Sequence, residues 1–76
     1  MKKNKTEYSS PLDALIAISK RLSIFENRYQ MDSEVFSEKY LKGQMDDSAD
    51  IIEWANDYEH YISIRRNLEG QLRNVA

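Results

Sequence analysis

The sequence predicts an all-α protein of three helices, at about residues 11–30, 33–42 and 48–74, the last by far the longest. Two observations carry this reading. Apolar side chains recur at alternating four- and three-residue steps in three separate stretches, and no period-two run or hairpin turn signal lies between them. A third is the punctuation. "SSPLD" reads as a helix start, with Ser10 as N-cap, Pro11 at the first helical position and Asp13 three residues after the cap. From there Leu15, Ile18, Leu22, Phe25 and Tyr29 form one stripe, which Leu12 and Ile16 widen. Asp32 or Ser33 then caps a short helix carrying Val35, Phe36, Tyr40 and Leu41, and Gly43 offers it a left-handed stop. In "GQMDDSAD" the cap expected for the third helix is Asp47, with Asp50 three residues later. Trp54, Tyr58, Tyr61, Arg65, Leu68, Leu72 and Val75 continue the periodicity, flanked by Ile51, Ala55 and Ile62, while Gly70 weakens the last turns by about 1 kcal/mol.

Helix lengths set up the functional question. At ~1.5 Å per residue the third helix runs ~40 Å, the first ~30 Å and the second ~15 Å, so the third must overhang its neighbours. Leu68, Leu72 and Val75 then sit on a stalk with no mate in their own chain, and exposed apolar surface of that kind marks a contact. The expected mate is a second chain. A core drawn from 76 residues is small, which makes an oligomer or partner a natural source of added stability.

Composition removes several classes. There is no cysteine, hence no disulfide and no thiolate metal site, in keeping with a cytoplasmic location. No apolar run approaches membrane length. "MKKNK" leads into "TEYSSPLD" rather than an apolar stretch, so residues 1–10 read as a disordered basic leader rather than a signal peptide, ahead of one helical domain over 11–76. The net charge of −2 is unevenly spread. Residues 1–25 hold five basic and two acidic side chains, residues 26–59 three and ten, and residues 60–76 three and one. The middle is acidic and both ends are basic.

The acids Asp46, Asp47, Asp50 and Glu53 invite a metal reading, but a calcium loop needs a twelve-residue ligand spacing around a central glycine, and the only nearby glycine precedes them. A di-iron bundle needs Glu-x-x-His pairs, of which Asp57-x-x-His60 is one imperfect copy. Aspartates at a helix N-terminus accept its free N–H groups and complement its dipole, which accounts for the cluster without a metal. With one histidine, no glycine-rich phosphate loop and no nucleophile–base pairing, neither an enzyme nor a cofactor is expected. The basic ends, Lys2, Lys3 and Lys5 with Arg65, Arg66 and Arg73, suit phosphate contacts, but a pI near 5.3 argues against a dedicated nucleic-acid module.

The stretch "RYQMDSEVFSEKYLKGQMDDSADIIEWANDYEHY" resembles a class of small bacterial and archaeal proteins. Their pattern is a Tyr-x-Met-Ser/Asp-Ser-x-x-Phe start, an aromatic, Lys/Ala-Gly, an Asp-x-x-Asp step, and Glu-Trp followed by Tyr. The matching positions are Tyr29, Met31, Ser33, Phe36, Tyr40, Gly43, Asp47, Asp50, Glu53, Trp54 and Tyr58. Such proteins are regarded as antitoxin-like components encoded beside a small toxin gene. The resemblance spans about half the chain, residues 25 to 61, carries over no catalytic residue, and implies a toxin-antitoxin role. On that expectation Asp46, Asp47, Asp50, Glu53 and Asp57 steer a basic cognate toxin, for instance a nuclease, while Trp54, Tyr58, Tyr61, Leu68 and Leu72 anchor it. Two alternatives stay open. One is a homo-oligomeric helical adaptor or homodimer pairing through the third helix around Leu68 and Leu72; the other is a DNA-binding regulator using the basic ends.

Overall fold

A computed structural model describes residues 10–75 as three helices, α1 (Pro11–Tyr29), α2 (Ser33–Leu41) and α3 (Ala49–Val75). The basic leader apart from Ser10, the side chains of Asn74 and Val75, and Ala76 lie outside the described residues. The all-α architecture with a long C-terminal helix is as the periodicity predicts.

Each boundary has a local cause. At the start of α1 the extended Ser10 accepts the Asp13 N–H on its Oγ at 3.1 Å, and Pro11 occupies the first turn, where its missing N–H costs nothing. The helix stops at Gln30, which enters the left-handed region at φ 54° while the Met31 N–H closes onto the Glu26 carbonyl at 3.1 Å. Nothing in a glutamine announces such a stop. At the start of α2 Asp32 holds the cap position without a side-chain bond; Glu26 of α1 substitutes for it, accepting the Ser33 N–H at 2.9 Å. Gly43, at φ 74°, ends α2 as expected, its own N–H reaching the Tyr40 carbonyl (3.0 Å) and that of Gln44 the Lys39 carbonyl (2.8 Å).

The cap of α3 is Ser48, not Asp47. The Ser48 Oγ accepts the Ile51 N–H at 3.4 Å and its carbonyl accepts the Ile52 N–H at 3.1 Å, while Asp46 Oδ1 takes the Ser48 N–H at 2.9 Å. A helix beginning at Ala49 puts residue 48 in the capping position, and a serine there serves as well as an aspartate. Nor does Gly70 break the helix, which runs through it to Val75.

α1 and α3 run antiparallel, Arg21 facing Asp57 and Arg28 facing Asp50. Their shared core is Leu22 and Phe25 against Ile51 and Trp54, closed from the side by Phe36 of α2. Trp54 is its centre. The indole lies parallel to the Phe36 ring at 3.8 Å between centroids, stacks with Phe25 at 5.7 Å and Tyr29 at 5.6 Å, and donates its N–H to Ser33 Oγ at 2.9 Å. A fully enclosed tryptophan therefore keeps its polar atom satisfied.

The core occupies only part of the length of α3, because the short α2 covers only one end of the α1–α3 pair. A radius of gyration of 14.4 Å, against ~11 Å for a compact domain of this length, records the overhang. Leu12 and Ile16, which the stripe placed beside the core, are 55% and 49% exposed; Leu72 is 69% exposed. Among the described residues no third helix packs over any of the three.

Candidate partner-binding surface

The structure sorts the acidic residues differently from the sequence. Along the α1–α3 seam Arg21 reaches Asp57 Oδ2 with Nε at 3.0 Å and Glu53 Oε2 with a terminal nitrogen at 3.1 Å. One helical step onward, Asp50 Oδ2 takes Arg28 at 2.7 Å and the Tyr29 hydroxyl at 2.8 Å. The tyrosine hydroxyl first, and then the guanidinium, hold the Asp50 carboxyl below its ordinary value, and the same bond raises the Tyr29 phenol. Asp57 is buried beside its arginine, whose own pKa is raised chiefly by the hydrogen bond to Asp57. With Asp46 engaged by the Ser48 N–H, only Asp47 of the five expected steering acids makes no hydrogen bond or ion pair among the described residues.

Asp50, Glu53 and Asp57 therefore clamp the protein's own first helix. The signal was present in the spacing: Arg21 and Arg28 are seven residues apart, as are Asp50 and Asp57, so two antiparallel helices bring complementary rows together. Carboxylates without an ion pair among the described residues are found instead on the loop and α2: Asp32, Glu34, Glu38 and Asp47, with Glu59 on α3.

The anchors divide as well. Trp54, at 0% exposure, is the core itself and offers no surface to a partner. Tyr58 and Tyr61 are half-buried and stacked at 5.9 Å between centroids, Leu68 is half-buried, and Leu72 is open. Tyr58 and Tyr61 form one wall of a cleft of about 220 Å³, with Ser19, Leu22, Ser23 and Glu26 on α1 and Ser33 and Glu34 at the start of α2. Burial, and then the nearby Glu34 carboxylate, raises the Tyr58 phenol, so its hydroxyl stays protonated.

On α1, Leu12 and Ile16 precede Ser19 and Ser23 on one face at helical spacing; on α3, Arg65, Leu68 and Leu72 follow Tyr58 and Tyr61 on one face in the same way. From Tyr58 to Leu72 that face of α3 runs ~21 Å, four turns of helix. Leu12 and Ile16 were missed as surface residues because periodicity places a side chain on a face without saying how far a neighbouring helix covers it.

Among the described residues no three His, Asp or Glu side chains converge to hold a metal ion, and no helix is long and apolar enough to cross a membrane. Comparison of the chain with protein families, curated proteins and solved structures finds no match. The described surface combines a cleft walled by Tyr58 and Tyr61, with the carboxylates of Glu26 and Glu34 beside it, and an exposed Leu72 further along α3.

Proposed function

We propose that this chain acts by binding another protein in the cytoplasm, without catalysis, as an antitoxin-like component that masks a cognate toxin. One observation carries the reading: on the α3 face that Tyr61 and Leu68 begin, Leu72 is 69% exposed, and among the described residues no helix covers it. The pattern of residues 29–58 supplies the antitoxin resemblance. The structure narrows the chemistry expected of the interface. Asp50, Glu53 and Asp57 are occupied within the chain, so steering of a basic partner falls to Asp47 and the carboxylates of α2, and affinity falls to the apolar face of α3. A nuclease, whose surface is basic where it meets nucleic acid, suits those carboxylates.

The test is co-purification with the product of the adjacent gene. A one-to-one complex on size-exclusion chromatography at low salt is expected, associating more slowly as salt rises. Leu72→Lys should weaken it at least tenfold, whereas Trp54→Phe, with its indole enclosed, should act on stability only. Absence of a complex at low salt would end this reading.

A further inference from the structure

α2 is fastened to the rest of the molecule along a narrow line. It buries one apolar side chain, Phe36, whose ring lies on the Trp54 indole at 3.8 Å. Its polar links both run through Ser33: the Oγ accepts the indole N–H, and Glu26 Oε2 accepts the Ser33 N–H, each at 2.9 Å. Tyr40 packs on Phe36 of its own helix, and Val35 and Leu41 are exposed. Among the described residues no ion pair joins α2 to α1 or α3. Space opens on both flanks of the Phe36 contact: the cleft of about 220 Å³ beside Tyr58 and Tyr61, and a second of about 310 Å³ where Tyr40 and Leu41 stand off Ala55 and Glu59. A left-handed residue lies beyond each end of the helix, Gln30 before it and Gly43 after it, in the loop positions where hinges form.

α1 and α3 hold each other without α2. Arg21 binds Glu53 and Asp57, Asp50 binds Arg28 and Tyr29, and Leu22 and Phe25 pack on Ile51 and Trp54. A helix of nine residues does not persist by itself in water, so α2 forms only while its few contacts offset the ordering of its backbone.

We propose that α2 is a lid, which opens as one unit over Trp54 while α1 and α3 stay paired. Closed, it supplies Ser33 and Glu34 to the wall of the cleft. Open, it dismantles that cleft and bares the indole on the α3 face that carries Tyr58 and Tyr61. The inference concerns the chain alone and does not rest on the antitoxin reading.

Native-state amide hydrogen exchange of the full chain, followed by NMR in low urea, tests it. The amides of residues 37–41 should share one opening equilibrium and exchange at least about tenfold faster than those of Phe25 and Trp54. Their dependence on urea should be weaker, since opening the lid exposes less surface than unfolding the chain. The Trp54 indole N–H should exchange with α2 rather than with its own backbone amide, because its acceptor leaves with the lid. Arg21→Ala cuts only the α1–α3 seam, which the open state retains, so it should speed exchange in α1 and α3 and leave α2 unchanged. Ser33→Ala should speed exchange in α2. Protection of α2 equal to that of Trp54 overturns the proposal, as does Arg21→Ala speeding α2 and α3 alike, the mark of a single global unfolding. Unequal, urea-independent rates along α2 overturn it too, since they report fraying of single residues.

Discussion

The Trp54 indole N–H points at the Ser33 hydroxyl, 2.9 Å away, and this bond ties the first turn of α2 to the centre of α3 across the core. Ser33 is only 4% exposed and Trp54 is fully enclosed, so water cannot replace either partner. Ser33→Ala leaves the indole N–H unpaired and should lower stability by about 1–3 kcal/mol. Urea denaturation followed by Trp54 fluorescence measures it, and an unchanged midpoint would refute the role assigned to the bond.

Phe36 is the one apolar side chain that α2 buries in the core. Its ring is fully enclosed and parallel to the indole, and α2 brings no other apolar side chain that is buried. Phe36→Ala should cost about 3–5 kcal/mol, a large share of the stability of a domain this small. Expected is loss of the near-ultraviolet circular dichroism of Trp54 at a lower temperature than in the parent chain, with α2 detached or the fold lost.

Arg21 and Asp57 form the more enclosed half of a two-pronged ion pair. Asp57 is 8% exposed, and without Arg21 its carboxylate is left with no cation among the described residues. Because the guanidinium is half in water, Arg21→Ala should cost about 1–2 kcal/mol rather than the larger penalty of a deep pair. Glu53→Ala removes only the exposed prong and should cost less than 0.5 kcal/mol or so. Equal effects in thermal denaturation would contradict this division.

The Asp50–Tyr29 bond predicts how stability depends on pH at both extremes. The Asp50 carboxyl is lowered from 3.8, so its contribution is complete above that value and is lost as pH falls through the lower native pKa. The Tyr29 phenol is raised from 10.0, so its contribution is complete below 10.0 and is lost as pH rises through the higher native pKa. Carboxyl chemical shifts should titrate Asp50 below 3.8, and Tyr29→Phe should move that midpoint up. A midpoint unmoved by Tyr29→Phe would leave Arg28 as the cause.

Two backbone positions should respond with opposite sign to exchange of a side chain. Gln30 holds a left-handed conformation that glycine adopts freely, so Gln30→Gly should stabilise by up to about 1 kcal/mol, less what the loss of its side-chain bond to the Asn27 carbonyl removes. Gly43, also left-handed, has open space around it, so Gly43→Ala should cost about 1 kcal/mol through backbone strain alone. Thermal midpoints of both variants test the pair together.

Local chemistry wrote much of this protein into its sequence. The serine–proline start of α1, the glycine stop of α2 and the stripe from Ile51 to Leu72 each depend on residues within a turn or two of one another, so the three helices and the overhang were legible. Relations between elements were not. That Glu26 caps α2, that Arg21 and Arg28 absorb the acids of α3, and that Trp54 is enclosed rather than displayed all depend on which helix faces which. Periodicity assigns a residue to a face; only packing decides whether that face meets a neighbour, an ion of opposite sign or water. The candidate surface moved for this reason, from an acidic patch at the start of α3 to the cleft beside Tyr58 and Tyr61 and the exposed Leu72 beyond it, which the 9-residue α2 does not cover.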